Sequence, residues 1–290
     1  MGPLLPAYFI LFSRSRQSQN RTGKLFQTVI LLYNSPVNNI FLSVVIPCFN
    51  EMANLQKGVL EKVDHYLDKK KFPYEVIIVD DGSKDGSIQF TKEFLKEHES
   101  FSLIENSHFG KAGAVTTGML KAKGEYALFA DMDQATPIEE LDKLLPYIQK
   151  NFDIVIGSRN STRKGAPWTR ILMAKGMIML RKTLIGLNNI KDTQCGFKLF
   201  KHTAALDLFT KIHKLHNGFH IVCGSNVTAG FDIELLYLAQ DKGYKIKEVP
   251  VNWLYVETRR VNPIHDSIEG LRSLFLIKKN SLTGKYKNIK

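Results

Sequence analysis

Glu75-Val-Ile-Ile-Val-Asp-Asp-Gly-Ser83 decides the fold. Val76 to Val79 is an unbroken apolar, β-branched run, and it stops on the turn-forming Asp81-Gly-Ser83. Such a run has no polar face to give to water, so it reads as a strand buried on both sides. The same unit recurs to left and right. Leu42 to Ile46 is a strand stopped by Pro47, and Phe101 to Ile104 is a third. Tyr126 to Ala130 is a fourth that ends at Asp131, and Asp153 to Ile156 a fifth that ends at Gly157-Ser-Arg159. Helical patterns lie between them. Asn50-Glu51 opens one through Leu55, Val59, Val63 and Leu67, and Asp85 can cap a second that carries Ile88, Phe90, Phe94 and Leu95. Gly110 to Leu120 is a small-residue helix start, and Pro137 begins a helix through Leu141, Leu144 and Leu145.

Five alternations of apolar strand and helix predict an α/β fold, a mostly parallel sheet with helices on both faces. Ligands of such sheets sit beyond the carboxyl ends of the strands. Here those ends carry Asn50, Asp80, Asp81, Asp131, Asp133 and Arg159. The second half is less regular. Trp168 to Leu187 is partly apolar but interrupted by Arg170, Lys175, Arg181 and Lys182, too many cations for a comfortable bilayer span. Cys195 to Phe200 reads as a strand, Phe231 to Ala239 as a helix, and Tyr244 to Trp253 as an alternating strand. Ile264, Ile268, Leu271 and Phe275 form a helical stripe followed by Lys278 and Lys279. The expected organisation is a poorly structured extension over 1–40, one α/β domain over 41–256, and an amphipathic helix with a basic tail over 257–290.

With 290 residues, 44% of them hydrophobic, the chain can bury one substantial core. Its net charge of +12 favours anionic partners: nucleic acid, an anionic membrane leaflet or phosphorylated substrates. No nucleic-acid-binding signature accompanies the charge, and paired acids at strand ends oppose a nucleic-acid groove, so a noncatalytic nucleic-acid-binding protein is the disfavoured class. Three cysteines, Cys48, Cys195 and Cys223, with no C-x-x-C spacing fit a reducing compartment better than a disulfide framework. The apolar patches Pro3 to Phe12 and Thr28 to Tyr33 each fall short of the roughly 20 residues of a spanning helix. The expectation is peripheral association with the cytoplasmic side of a membrane.

Asp131-Met-Asp133 places two carboxylates at i and i+2 just past a strand. They can share a hard divalent cation, Mg²⁺ or Mn²⁺, that bridges to substrate phosphates. A turn that caps the next helix is the other reading. Asp80-Asp81 can accept hydrogen bonds from a base edge or a ribose, or serve only as turn chemistry. Lys111 in Gly110-Lys-Ala-Gly113 can pair with a diphosphate near a helix N-terminus. His213, His216, His220 and Cys223 have zinc-like spacings, but Asn217-Gly218 interrupts any helix that would carry them, which favours a loop of ordinary histidines.

Taken together, these motifs resemble those of family 2 glycosyltransferases with the GT-A fold. The resemblance rests on Val45-Ile-Pro-Cys-Phe-Asn-Glu51, Val79-Asp-Asp-Gly-Ser83, Asn106 to Gly113, Ala130-Asp-Met-Asp133 and Gly157-Ser-Arg159, in the family's order. Asp192-Thr-Gln-Cys-Gly-Phe-Lys-Leu-Phe200, Phe231-Asp-Ile-Glu-Leu-Leu236 and Val249-Pro-Val-Asn-Trp253 are similar to the polyprenyl-phosphate branch, that of the dolichyl-phosphate glucosyltransferases above all. The resemblance implies an inverting transfer of a hexose, most plausibly glucose from UDP-glucose, to a polyprenyl or dolichyl phosphate. GDP-mannose as donor, or another lipid or saccharide as acceptor, is the alternative. It also implies a nucleotide-sugar site made by Pro47, Phe49, Asn50, Glu51, Asp80, Asp81, Ser83, Lys111, Asp131 and Met132, and a metal held by Asp131 and Asp133. Arg159 and Arg170 match positions that meet the acceptor phosphate in related mannosyltransferases. Asp232 stands where relatives with hydroxyl acceptors keep a base; a positioning role and a helix N-cap are its two readings here. Some related mannosyltransferases add a glutamine metal ligand two residues past the second Asp, a place that Ala135 holds in this chain, with Gln134 one residue early.

Overall fold

Burial on both faces makes the strands what the apolar runs require. In the computed structural model, which describes residues 40–159, 168–220, 230–254 and 263–287, the backbone alone is described for 168–175, 177 and 263–267. The expectations for the N-terminal extension fall outside these residues. The strands are β1 (Leu42–Cys48), β2 (Tyr74–Asp80), β3 (Phe101–Glu105), β4 (Tyr126–Ala130), β5 (Ile154–Arg159), β6 (Phe197–Lys201) and β7 (Ile246–Val251). They form one sheet in the order β3-β2-β1-β4-β6-β5-β7. β1 pairs in parallel with β2 and β4, β2 with β3, and β5 with β7. β6 runs antiparallel to both β4 and β5. The mostly parallel α/β fold is therefore as expected. The reversed β6 brings its first residues against the last of β4, pairing Phe197 with Ala130.

The helices are α1 (Met52–Leu55), α2 (Val59–Asp68), α3 (Ser87–Phe94), α4 (Gly110–Lys121), α5 (Leu141–Ile148), α6 (Trp168–Ile185), α7 (His202–Leu215), α8 (Phe231–Asp241) and α9 (Pro263–Leu282). Alternate strand residues feed two cores. Val45, Val79 and Phe129 pack with α4, α7 and α8, and Val44, Ile46, Ile78 and Leu128 pack with α2 and α5. The helix expected from Asn50 to Leu67 is two helices, because Gly58 at φ +74° breaks the pattern between them. The residue that caps α3 is Gly86 rather than Asp85. Asp85 instead accepts the Ser87 N–H with one oxygen and the Met52 N–H with the other, which ties the starts of α3 and α1 together.

Helix α9 has two apolar faces. Leu274 and Ile277 are buried in the core with α8, followed by buried Tyr286. Ile268 and Phe275, members of the stripe seen in the sequence, face outward with Leu276 and Leu282, and Phe275 is 59% and Leu282 75% exposed. No helix among the described residues is long and apolar enough to cross a membrane.

Helix α4 lies close to the sheet because Gly118 has no side chain. A Cβ there would stand 2.3 Å from Val45 Cγ1 and 2.9 Å from Val79 Cγ2. Gly118→Ala gains about 1 kcal/mol of helix propensity. It also overpacks a rigid sheet, at about 1–3 kcal/mol. The expected balance is destabilisation, read as a lower urea midpoint; an unchanged or higher midpoint would show that α4 moves away freely.

Candidate active site

The site begins where β1 and β2 end. Asp80 is buried, and its Oδ1 accepts the N–H groups of Gly82 and Ser83 at 2.9 and 2.8 Å. Its Oδ2 is also buried and has no hydrogen-bond partner among the described residues. A buried acceptor left open is costly and is unusual in a folded protein. Asn50, at φ +53°, donates its N–H to Ser83 Oγ and accepts the Lys84 N–H on Oδ1. The N–H of Glu51 goes to Ser87 Oγ, and its Oε2 accepts from the Asn54 amide at 2.6 Å. Pro47 pairs in register with Val79. Phe49 stacks on His108 at 4.3 Å.

Asp81, expected at the nucleotide, spends its carboxylate on the protein. One oxygen takes the Phe109 N–H, and the other takes the Gly110 N–H and lies 3.0 Å from His108 Nδ1. Burial pushes its carboxyl above the usual range, and these bonds only partly offset that. Asp81 thereby fixes the loop that delivers Lys111. Cys48, behind the same edge, is buried, and burial with Asp80 nearby raises its thiol far above the usual value, so it is packing and not a nucleophile.

Asp131 follows β4 directly. Its N–H donates to Gly196 O at 3.1 Å, and its Oδ1 lies 2.5 Å from Lys111 Nζ. A Cβ on Gly196 would stand 1.9 Å from Asp131 Oδ2, so only glycine leaves room for this carboxylate. Met132 is buried and holds the turn down. Gln134, at φ +47°, turns its amide back onto Asp131 O, and Asp133 Oδ1 accepts the Ala135 N–H. Asp133 thus closes a local turn but does not cap the helical segment that follows, whose N-cap is Pro137, and the two carboxylates stay two residues apart at one strand end. Two hard oxygen donors beside a lysine fit a divalent cation bridged to a diphosphate.

Across β6 stands Arg159. Its Nε and Nη2 hold Asp192 at 2.7 and 2.8 Å, and its own N–H also reaches Asp192. Burial works against the Arg159 charge, but Asp192, and to a smaller extent Asp131, outweigh it and hold the guanidinium above its ordinary value. Burial likewise opposes the Asp192 charge, and Arg159 outweighs it to hold that carboxyl below the usual range. The Asp192 loop is itself braced: Arg181 donates to Thr193 Oγ1, Ile190 O and Lys191 O, and Glu248 accepts the Lys191 and Asp192 N–H groups. Arg170 belongs to α6, but its side chain lies outside the described residues, as does Cys223. His216 Nε2 sits 2.8 Å from Glu234 Oε2, and Glu234 Oε1 accepts the Tyr286 hydroxyl, so this histidine is structural.

Asp232 is not a helix N-cap. Gly230 caps α8, and Asp232 lies one residue inside the helix, with Oδ1 2.5 Å from Lys198 Nζ. Lys198 is 0% exposed, donates also to Cys195 O at 2.6 Å, and lies over the Phe129 ring. Sequence reading missed Lys198, Asp192 and Gly196 as working residues. The signal was there for one of them: a lysine inside the apolar run Phe197-Lys-Leu-Phe200 has to find a buried partner.

Residues 43–209 match the family described as Glycosyl transferase family 2. The chain belongs to that family. It is a family 2 glycosyltransferase with the GT-A fold. It is 32% identical to a dolichyl-phosphate beta-glucosyltransferase of Dictyostelium discoideum, over 92% of this chain and 83% of the relative. It is 34% identical to the protein of that name in Saccharomyces cerevisiae, over 87% of this chain and 78% of the relative. Among solved structures, it resembles glucosyl-3-phosphoglycerate synthase of Mycobacterium tuberculosis, in complex with Mn²⁺, UDP and glucosyl-3-phosphoglycerate, at a TM-score of 0.54 and 16% identity, over 83% of this chain and 80% of that one.

In this glycosyltransferase the Lys198–Asp232 pair is the buried charge most exposed to failure. Lys198→Met leaves the Asp232 carboxylate buried without its partner, which costs about 3–5 kcal/mol. The double variant Lys198→Met/Asp232→Leu is expected to recover much of that in urea denaturation. Independent, additive losses would show that the two do not act as a pair.

Proposed function

We propose that this enzyme transfers glucose from UDP-glucose to a dolichyl or other polyprenyl phosphate at a membrane surface. One observation carries the reading: the order of chemistry along the carboxyl edge of the sheet. Asp80 on β2 offers an open buried acceptor, Asp131 and Asp133 after β4 offer two carboxylates beside Lys111, and Arg159 on β5 offers a preorganised guanidinium. That order suits a nucleoside, then a diphosphate, then a second phosphate. The names of the curated relatives supply glucose and dolichyl phosphate.

Asp80 Oδ2 would accept a base or ribose hydrogen, with Phe49, Asn50, Glu51 and Ser83 shaping the wall around it. Asp131 and Asp133 would hold Mg²⁺ or Mn²⁺, which, when bound, neutralises charge on the departing diphosphate. Lys111 would share the diphosphate's charge. A phosphate monoester is already ionised at neutral pH, its second pKa being about 6, so the acceptor needs no strong base. What the chain must do is hold two anions in line against their repulsion, the work of Arg159 with Arg170 on one side and Lys111 on the other. A single in-line displacement of this kind inverts the anomeric carbon. Asp232, tied to Lys198, positions the floor of the site instead of taking a proton.

Product analysis with UDP-glucose and GDP-mannose, each offered with dolichyl phosphate, tests the reading directly. Glucosyl transfer is expected to dominate, and mannosyl transfer alone would overturn the donor assignment. Asp133→Ala is expected to lower kcat by at least about 10²-fold. Its urea midpoint is expected to stay near wild type, because Asp133 lies outside the apolar core. Undiminished turnover of this variant in EDTA would remove the metal from the scheme.

We further propose that the enzyme sits on the cytoplasmic side of the membrane through the outward face of α9. Ile268, Phe275, Leu276 and Leu282 are exposed there, interleaved with Arg272 and Lys279, a pattern suited to an anionic lipid interface. Phe275→Glu/Leu276→Glu leaves buried Leu274 and Ile277 untouched. It is expected to abolish flotation with anionic vesicles; unchanged flotation would assign binding to another surface.

A further inference from the structure

The backbone on either side of Trp253 is anchored, and its ring is partly exposed. Asn252, just before it, gives its N–H and its side-chain amide to the two oxygens of Glu140 at 3.0 and 2.9 Å, and Lys143 secures Glu140 at 2.6 Å. Leu254, just after it, donates its N–H to Ala135 O at 2.7 Å. Val251 is buried and pairs in register with Arg159. Between these anchors Trp253 remains 42% and Leu254 57% exposed. They border an open cleft of about 700 Å³ that is also lined by Pro137, Glu139, Glu140, Val251 and Asn252. The Arg159 guanidinium lies over the Trp253 ring at 5.9 Å. Asp192 takes Nε and Nη2 of that arginine, and no described residue engages Nη1.

A large aromatic residue that is pinned but exposed, beside a phosphate-seeking cation, suits an amphiphile with an anionic head and an apolar tail. We propose that Trp253 and Leu254 seat the first isoprenoid units of the acceptor, next to the phosphate on Arg159. This rests on the reading of Arg159 as the acceptor-phosphate residue. The geometry fits a lipid phosphate because head and tail are covalent neighbours, as the guanidinium and the indole are spatial neighbours. The pinned backbone means that little conformational freedom is lost when the tail arrives. The seat makes the enzyme read the tail close to the reacting phosphate, and not merely its presence in a membrane.

The test uses the full chain in detergent, UDP-glucose as donor, and three acceptors: methyl phosphate, citronellyl phosphate and dolichyl phosphate. Wild type is expected to prefer citronellyl over methyl phosphate in kcat/KM. Trp253→Ala is expected to lose about tenfold in kcat/KM for citronellyl phosphate, the scale of a lost apolar contact. KM for UDP-glucose should not change, and Trp253→Phe should restore most of the preference, with Leu254→Ala showing a smaller loss of the same kind. Equal losses for methyl and citronellyl phosphate, or a matching rise in the donor KM, would reduce Trp253 to a structural role and overturn the proposal. So would a wild type with no preference between the two short acceptors. Absence of transfer to any lipid phosphate by wild type overturns the acceptor assignment itself, and saccharide glucosylation that depends on Trp253 assigns the platform to a sugar.

Discussion

The contact between Asp131 and Gly196 constrains everything around it. β4 ends at Ala130, and the antiparallel β6 begins opposite, so two chain ends of different direction meet at one point. The Asp131 N–H closes on Gly196 O, and the Asp131 carboxylate fills the space that a Cβ at 196 would take. A side chain of any size there would push the Asp131 carboxylate away. The reversal also carries Lys198 beneath the site and links Cys195, through its carbonyl, to the Lys198 ammonium. One antiparallel strand in an otherwise parallel sheet thus joins β1 to β4 on one side to β5 and β7 on the other.

Charge in this molecule is matched locally even though its total is +12. Lys111 faces Asp131, Arg159 faces Asp192, and Lys198 faces Asp232. Pairing keeps buried or half-buried ions from paying the full penalty of desolvation. It also points each cation: a bidentate carboxylate leaves the guanidinium one direction in which to offer its remaining edge. The Asp192 pair has a pH consequence. Its carboxyl is held below the unfolded value of about 3.9, so its contribution to stability is present above that pH and is lost as the pH falls through the folded value.

Helix α9 carries apolar side chains on both a buried and an exposed face. Leu274, Ile277 and Tyr286 close the core over α8, and the Tyr286 hydroxyl and His216 meet on Glu234. The opposite face keeps its apolar side chains outside. A helix that was only a core lid would carry polar residues there. Ile268 and Phe275 of the stripe visible in the sequence lie on the outer face, and the inner positions 274 and 277 are not among its members.

Strand order aside, much of the half built on β1 to β4 was legible in residues alone. Val76 to Val79 can only be a doubly buried strand, and the acids that follow such strands lie at the ligand edge whatever the rest of the chain does. The parallel sheet, the strand positions and the gathering of Asp80, Asp131 and Arg159 at one edge follow from local periodicity, because strand and helix patterns are local. Tertiary structure decided what side chains do once they arrive. Asp81 and Asp80 are adjacent and chemically identical, yet one is saturated by the loop before α4 and the other keeps an open oxygen. Asp232 read as a positioning residue or a cap and is half of a buried pair, because Lys198 comes to it from 34 residues away. Hydrogen-bond partners distant in the chain leave no period in the sequence; only the packing of β6 against β4, and of α8 beneath them, brings them together.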